Sequence, residues 1–107
     1  MSKTSRNKGK CGERECAAVL RELGWEARRG VQHAGGPDSP DVVSDFPMHI
    51  EVKRVERLNL WKSYTQSKTD AMESGKPPCV IHRASRQPWF ITLTLEDFNS
   101  LIRHNEK

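Results

Sequence analysis

The segment Ile50-Glu51-Val52-Lys53 places a carboxylate and an ammonium two residues apart in a run typical of a β-strand. Side chains alternate across a strand, so Glu51 and Lys53 should share one face, while Ile50 and Val52 occupy the other. A carboxylate can hold a hard cation, and a nearby ammonium can orient water or stabilise charge on a phosphate. Because the same pattern occurs on solvated strand edges with weak ion pairs, other residues must decide between the two readings.

A second carboxylate lies across a predicted turn. Asp41 opens the apolar segment "DVVS", and a hairpin centred on Phe46 would set Asp41 opposite Glu51. Carboxylates with β-carbons roughly 5 Å apart repel one another unless a cation neutralises them. Magnesium or manganese would suit these oxygen ligands and would complete its shell with water and phosphate oxygens. The segment "PDSPD" also offers Asp38, but only Asp41 leads directly into the apolar strand.

A third carboxylate is expected on the first helix. Glu13 precedes Cys16 and Ala17 by three and four residues, so it lies on the stripe that this helix should bury. Glu15 turns away from that side and is not expected to bind a metal. A carboxylate on a buried stripe requires a reason, and together with the Asp41–Glu51 pair it favours chemistry over a solvated strand edge.

Apolar spacing predicts one α/β domain with the order helix, three strands, helix, two strands, helix. The helices are expected over residues 12–23, 58–74 and 94–103, with Gly24 ending the first and Thr94 capping the last. The strands are expected in the segments "WEARRGV", "DVVSDFPMHIEVKRV", "CVIHR" and "WFITL", the second of which contains two strands. The sheet should be mixed and should begin with antiparallel strands.

The second helix is predicted to be amphipathic, with its apolar side formed by Leu58, Trp61, Thr65, Lys68 and Met72. Each of the chain's three tryptophans is expected in the core or at an interface, in preference to a base-stacking role.

Bulk composition narrows the possible partners. A chain of 107 residues is long enough for one domain with one core, and its net charge of +4 favours a polyanionic partner. Three cysteines fit a reducing cytoplasm, no apolar run is long enough to cross a bilayer, and no dinucleotide or phosphate-loop fingerprint occurs. We therefore expect a cytoplasmic protein with no membrane association and no organic cofactor.

The motifs "SPDVV" and "IEVK", together with "KGKCGERE" at the first helix, resemble the PD-(D/E)xK nuclease superfamily. The opening segment is similar to the Holliday-junction resolvase branch, including its small phage-encoded members. The resemblance extends from about Lys8 to Phe98. It implies a restriction-endonuclease-like core, in which a mixed central sheet of about five strands is flanked by helices. Residues 11–107 would form this single nuclease domain, preceded by a basic flexible arm over residues 1–10.

Carried over by position, the resemblance implies a role for each motif residue. Glu13, Asp41 and Glu51 would be catalytic carboxylates that hold Mg²⁺ or Mn²⁺, and Lys53 would be the catalytic lysine. Arg14 resembles an arginine that approaches the phosphate backbone. Gln66 falls where the family often places a glutamine, and it is interpreted equally well as a solvated residue of the second helix.

The resulting prediction is a metal-dependent endodeoxyribonuclease, selective for DNA structure and similar to a Holliday-junction resolvase, acting as a homodimer on branched DNA. Alternatives are a nicking, flap or single-strand nuclease of the same superfamily, a non-catalytic DNA-binding adaptor with the nuclease fold, and a protein-interaction module. The residues expected to contact DNA are Arg6, Lys8, Lys10, Arg14, Arg54, Arg57, Lys62 and Gln66.

Overall fold

The computed structural model of the chain describes residues 3–30 and 41–105, with side chains described for 11–30 and 41–104. It contains helices and strands in the predicted order of helix, three strands, helix, two strands, helix. In chain order these are α1 Lys3–Glu22, β1 Ala27–Arg29, β2 Val42–Ser44, β3 His49–Arg54, α2 Leu60–Ala71, β4 Pro78–Arg83, β5 Phe90–Thr92 and α3 Leu95–Asn105. Within the described ranges, no helix combines the length and apolarity needed to span a membrane.

The five strands of the described ranges form two sheets. β1 and β2 pair antiparallel, whereas β3 pairs with β4 in parallel and β4 pairs with β5 antiparallel. The predicted β2–β3 hairpin ladder is therefore wrong, although Asp41 N still donates a hydrogen bond to Ile50 O at 3.3 Å. All four residues from His49 to Val52 are buried, as is typical of a parallel strand covered on both faces. The alternation of side chains along the strand therefore could not predict which strand pairs with β3.

The first helix begins nine residues before the predicted start at Gly12, since its backbone is helical from Lys3. The prediction relied on apolar spacing, which a polar opening segment does not provide, whereas lysine and arginine are good helix formers. Much of the segment expected to form a separate arm thus continues α1. At Gly12 the helix passes close to β3, because an added β-carbon would lie 3.0 Å from the β-carbon of Arg54.

The core lies between α1 and the β3–β4 layer. Cys16, Ala17 and Leu20 of α1 pack in one cluster with Ile50 and with apolar residues from the other strands. Trp25 and Trp89 are partly buried against this cluster, which agrees with the expectation for those two tryptophans. This packing fixes α1 over the strand that carries Glu51 and Lys53.

The predicted buried side of α2 is wrong. The helix buries the small residues Ser63, Ser67 and Ala71, while Trp61 and Met72 are 81% and 80% exposed. Small side chains let the helix axis approach the sheet closely. The hydroxyl of Ser67 lies 3.1 Å from the carbonyl of His49 and 3.0 Å from that of Cys79, so the buried polar group is satisfied.

The ends of α1 and α3 agree with their predicted signals. Gly24 has a φ of 104°, a left-handed conformation that suits a residue just past a helix end. Thr94 caps α3, since its hydroxyl accepts a hydrogen bond from Asp97 N at 3.1 Å.

Candidate active site

Asp41 is held between β1 and β3 by the main chain. Its backbone carbonyl accepts a hydrogen bond from Gly30 N at 2.9 Å, and its carboxylate oxygen Oδ2 accepts one from Val52 N at 2.8 Å. With its own amide bonded to Ile50 O, Asp41 is fixed on both sides and almost fully buried. The position of the carboxylate is therefore set before any ligand arrives.

Glu51 lies in the same buried region as Asp41. Burial, followed by the charge of Asp41, raises the pKa of Glu51 from 4.5 to about 7, while Lys53 acts in the opposite direction and Asp70 adds to the rise. The side chain is one of the few buried carboxylates of the described residues. The structure thus brings together the two carboxylates that the sequence placed opposite each other, without the predicted hairpin ladder.

Lys53 shares the Glu51 side of β3, as strand alternation predicts. Its ammonium lies 3.5 Å from Glu51 Oε2, and the lysine side chain is 39% exposed whereas that of Glu51 is 10% exposed. One charge of the pair is therefore buried and the other reaches solvent. A substrate approaching this surface would meet the ammonium first.

Glu13 is placed differently from the prediction. Its Oε2 accepts a hydrogen bond from Arg29 Nε at 2.8 Å, linking α1 to β1. Among the residues that the structure describes, no group of three His, Cys, Asp or Glu side chains is arranged to hold a metal ion. The predicted set of three converging carboxylates is therefore not assembled here, and the arrangement is a pair, Asp41 and Glu51.

Two residues near the site were missed by the sequence reasoning. Arg29 could have been found from alternation in β1, where the flanking Arg28 is exposed and Arg29 is half buried. Asp70 could have been found from its helical spacing, because it lies four residues after Gln66 and accepts a hydrogen bond from Gln66 Nε2 at 2.9 Å. Asp70 thereby lies on the side of α2 whose charge acts on Glu51.

Glu15 joins a separate ionic network that ties α1 to the sheet. It contacts Arg83 Nη1 through a hydrogen bond, and Arg54 Nε lies 3.3 Å from its other carboxylate oxygen without making a hydrogen bond. The guanidinium of Arg83 also lies 5.7 Å from the ring centroid of Trp89. Glu15 thus has a structural role, consistent with its exclusion from the metal set.

The predicted DNA contacts divide into three groups by environment. Arg14, Arg57, Lys62 and Gln66 are exposed, whereas Arg54 is half buried beside Glu15. The remaining predicted contacts lie outside the described side chains, as does Asp38; they are Arg6, Lys8 and Lys10.

The donor set fits a divalent cation. Asp41 and Glu51 are oxygen donors, the type that Mg²⁺ and Mn²⁺ accept while keeping water and phosphate as further ligands. Burial, followed by the charge of Asp41, raises the pKa of Glu51 to about 7, and Lys53 offsets only part of that rise. A cation held by Asp41 and Glu51 would favour their ionised forms.

Comparisons with known proteins agree with this architecture. An α/β fold carrying Asp41 before the buried strand of Glu51 and Lys53 has the features of a PD-(D/E)xK nuclease. The chain belongs to the family described as phage putative PDDEXK endonuclease, which it matches over residues 4–107.

The chain is also similar to a solved resolvase. The 1.6 Å resolution structure of Archaeoglobus fulgidus Hjc, a Holliday junction resolvase from an archaeal hyperthermophile, superposes with a TM-score of 0.60 and 25% sequence identity. The match covers 76% of this chain and 72% of that one. The same restriction-endonuclease-like fold is therefore present in both. A search of curated proteins gives no match.

Proposed function

We propose that this chain is a metal-dependent endodeoxyribonuclease that hydrolyses DNA phosphodiesters, with water as nucleophile, and selects DNA by structure. The observation that carries the proposal is the buried Asp41–Glu51 pair with Lys53 on the same side of β3, in a chain of the phage endonuclease family. Two buried carboxylates that repel one another reduce stability, and a cation that they hold would offset that cost.

Each residue of the proposed centre has a separate task. Asp41 and Glu51 would hold Mg²⁺ or Mn²⁺, which supplies charge to phosphate oxygens and lowers the pKa of water when bound. Lys53, with its ammonium partly in solvent, orients the water or offsets charge on the scissile phosphate. Glu13 is proposed as a third carboxylate, and its hydrogen bond from Arg29 would have to break before it could contribute.

DNA would be gripped through its phosphates by the exposed side chains of Arg14, Arg57 and Lys62, and by the basic residues Arg6, Lys8 and Lys10 near the beginning of the chain. Arg54 would act mainly by fixing α1, since it is paired with Glu15. Phosphate contacts carry little sequence information, so selectivity would come from DNA shape.

The similarity to Hjc, a Holliday junction resolvase, supports a branched substrate. A symmetric homodimer would present two centres to the opposed strands of such a branch. Activity would be expected in the cytoplasm of a bacterial or phage-infected cell.

The test is cleavage of a labelled four-way junction, compared with duplex, flap and single-stranded DNA, in Mg²⁺ and in EDTA. We expect Mg²⁺-dependent cuts near the branch point that Asp41→Asn and Lys53→Ala each reduce at least about 100-fold, the usual scale for a catalytic group. Asp45→Asn is the matched control, because Asp45 is exposed and accepts a hydrogen bond from Glu26 N away from the centre. Cleavage by either centre variant at the parental rate would refute the assignment. A preference for flap or single-stranded DNA would favour another nuclease of the superfamily.

A second candidate, a DNA-binding adaptor that retains the fold without catalysis, is favoured by one observation. Glu13 bonds to Arg29 and does not complete a three-carboxylate set in the described structure. Such an adaptor would bind DNA equally well in EDTA and would yield no product at high protein concentration. Binding that is lost in EDTA, or any Mg²⁺-dependent product, would exclude it.

A further inference from the structure

His82 lies beside Lys53 on the face of the sheet that carries the candidate centre. The two residues are register partners in the parallel ladder of β3 and β4, as are Glu51 and Val80 two residues earlier. Register partners project to the same face of a sheet, and neighbouring strands are about 4.8 Å apart. Because Val80 is apolar, His82 is the polar side chain that β4 places next to the Glu51–Lys53 pair.

The imidazole of His82 is held in place from the side of β5. Its Nε2 lies 2.9 Å from Thr92 Oγ1. Its ring stacks on that of Phe90, with 6.2 Å between the ring centroids and 26° between the ring planes. Phe90 is also the register partner of His82 in the antiparallel ladder of β4 and β5. Two contacts from one neighbouring strand thus fix the ring over the sheet.

The ring is half buried and uncharged at neutral pH. Burial lowers the pKa of His82 from its ordinary value of 6.5, because a charged imidazole loses hydration there. A cation at this position would repel the ammonium of Lys53, since like charges on neighbouring strands destabilise one another. The imidazole therefore fills the space beside the lysine without adding a competing charge.

The Lys53 side chain depends on its neighbours for a defined position. It is long and flexible, it is 39% exposed, and its ammonium lies 3.5 Å from Glu51 Oε2. In the described sheets β3 pairs along its whole length with β4 and with no other strand. His82 therefore bounds the lysine on the β4 side, while the ammonium points back along β3 to Glu51. A functional side chain keeps its geometry best when the residues around it are themselves locked.

We propose that His82 is a positioning residue of the candidate centre: fixed by Thr92 and Phe90, its ring bounds the β4 side of Lys53 and keeps the ammonium directed at Glu51 and the scissile phosphate. The inference rests on the proposed nuclease function and deepens it by adding a residue that acts through the lysine. His82 is assigned no contact with the substrate or with a metal ion.

The test compares three substitutions of His82 in the full chain. His82→Ala removes the ring, His82→Phe keeps an uncharged ring, and His82→Lys adds a cation next to Lys53. His104→Ala is the matched control, because His104 is an exposed histidine in the last turn of α3. Circular dichroism establishes that each variant is folded. The measurements are kcat and KM in Mg²⁺ on the DNA that the parent cleaves best, DNA affinity in EDTA, and the NMR signal of the Lys53 ε-methylene group in EDTA.

We expect kcat to fall roughly tenfold in His82→Ala, with KM and DNA affinity unchanged, since a misplaced catalytic group slows the chemical step. The fall should be larger in His82→Lys, whereas His82→Phe should retain most of kcat. In a Lys53→Ala background, assayed at high protein concentration, the His82 substitutions should have no further effect, because nothing is left to position. The Lys53 NMR signal should shift in His82→Ala and stay in place in His104→Ala.

Cleavage by His82→Lys at the parental rate, a change in KM in place of kcat, or full additivity with Lys53→Ala would each overturn the proposal. His82→Phe as slow as His82→Ala would overturn it as well, since the imidazole itself would then be required. The nuclease function is judged separately on the parent. A parent that cleaves and is matched by every His82 variant refutes the positioning role alone. A parent that cleaves no DNA refutes the nuclease, and the Lys53 NMR signal then decides whether His82 positions the lysine.

Discussion

Replacing Glu51 by glutamine should make the metal-free protein more stable at neutral pH while removing a metal ligand. Burial and the charge of Asp41 raise the pKa of Glu51 from 4.5 to about 7 in the folded state. At 1.36 kcal/mol per pKa unit, ionised Glu51 lowers the free energy of unfolding by about 3 kcal/mol. Glutamine has nearly the same shape and carries no charge, and the lost contact with the partly exposed Lys53 is already included in the net pKa.

The sign of the pH dependence follows from proton binding. Between pH 4.5 and about 7 the folded protein holds a proton on Glu51 that the unfolded chain has released. This site therefore stabilises the fold less as the pH rises through that window, and its contribution becomes constant above it. The parent and Glu51→Gln should have similar stability near pH 4.5, and the difference should grow to its full value at about pH 8, where a difference of roughly 13 °C in Tm is expected.

Thermal and urea unfolding in EDTA from pH 5 to pH 8 would measure the difference. Glu26→Gln is the control, because Glu26 is exposed and its change should leave the pH profile of the parent intact. Added Mg²⁺ should then stabilise the parent more than Glu51→Gln, since a ligand that binds only the folded state raises its stability. A Glu51→Gln protein that is no more stable than the parent at pH 8 would refute the view that Glu51 is a strained, buried acid.

Three further substitutions test the packing that positions the site. Ser67→Val should lower the free energy of unfolding by about 2 kcal/mol, because the larger side chain overpacks the helix–sheet contact and the buried hydroxyl is lost. A urea midpoint equal to or above that of the parent would contradict this. Gly12→Ala should destabilise by about 1 kcal/mol despite the better helix propensity of alanine, since the new methyl group would lie 3.0 Å from Arg54 Cβ; a higher Tm would show that α1 can move away. Asn59→Ala should lower the free energy of unfolding by about 1 kcal/mol, because it removes the side-chain oxygen that accepts a hydrogen bond from Lys62 N at 3.1 Å. Hydrogen exchange should then be faster in the first turn of α2, and unchanged exchange there would argue against the cap.

The parts of this structure that sequence could predict are those set by local chemistry. The order of helices and strands, the Thr94 cap and the shared side of Glu51 and Lys53 all follow from periods or end signals of a few residues. The pairing of β2 with β3 was predicted incorrectly because pairing is decided by distant partners: β3 pairs in parallel with β4, and α1 and α2 pack against it. Glu13 illustrates the same limit within the site, since its bond to Arg29 joins residues sixteen apart in the sequence.

The small residues that α2 buries affect both the candidate centre and the exposure of Trp61. A helix that buried Trp61 and Met72 would stand further from the sheet than one that buries Ser63, Ser67 and Ala71. The small-residue contact brings the Gln66–Asp70 edge close enough to act on Glu51, and the same rotation of the helix turns Trp61 outward. The packing of α2 thus sets the electrostatics of the candidate centre and leaves Trp61 in solvent. Widening that contact with Ser67→Val should therefore reduce cleavage, because α2 would stand further from the strand that carries Glu51. A folded Ser67→Val protein that cleaves DNA at the parental rate would show that the centre does not depend on this contact.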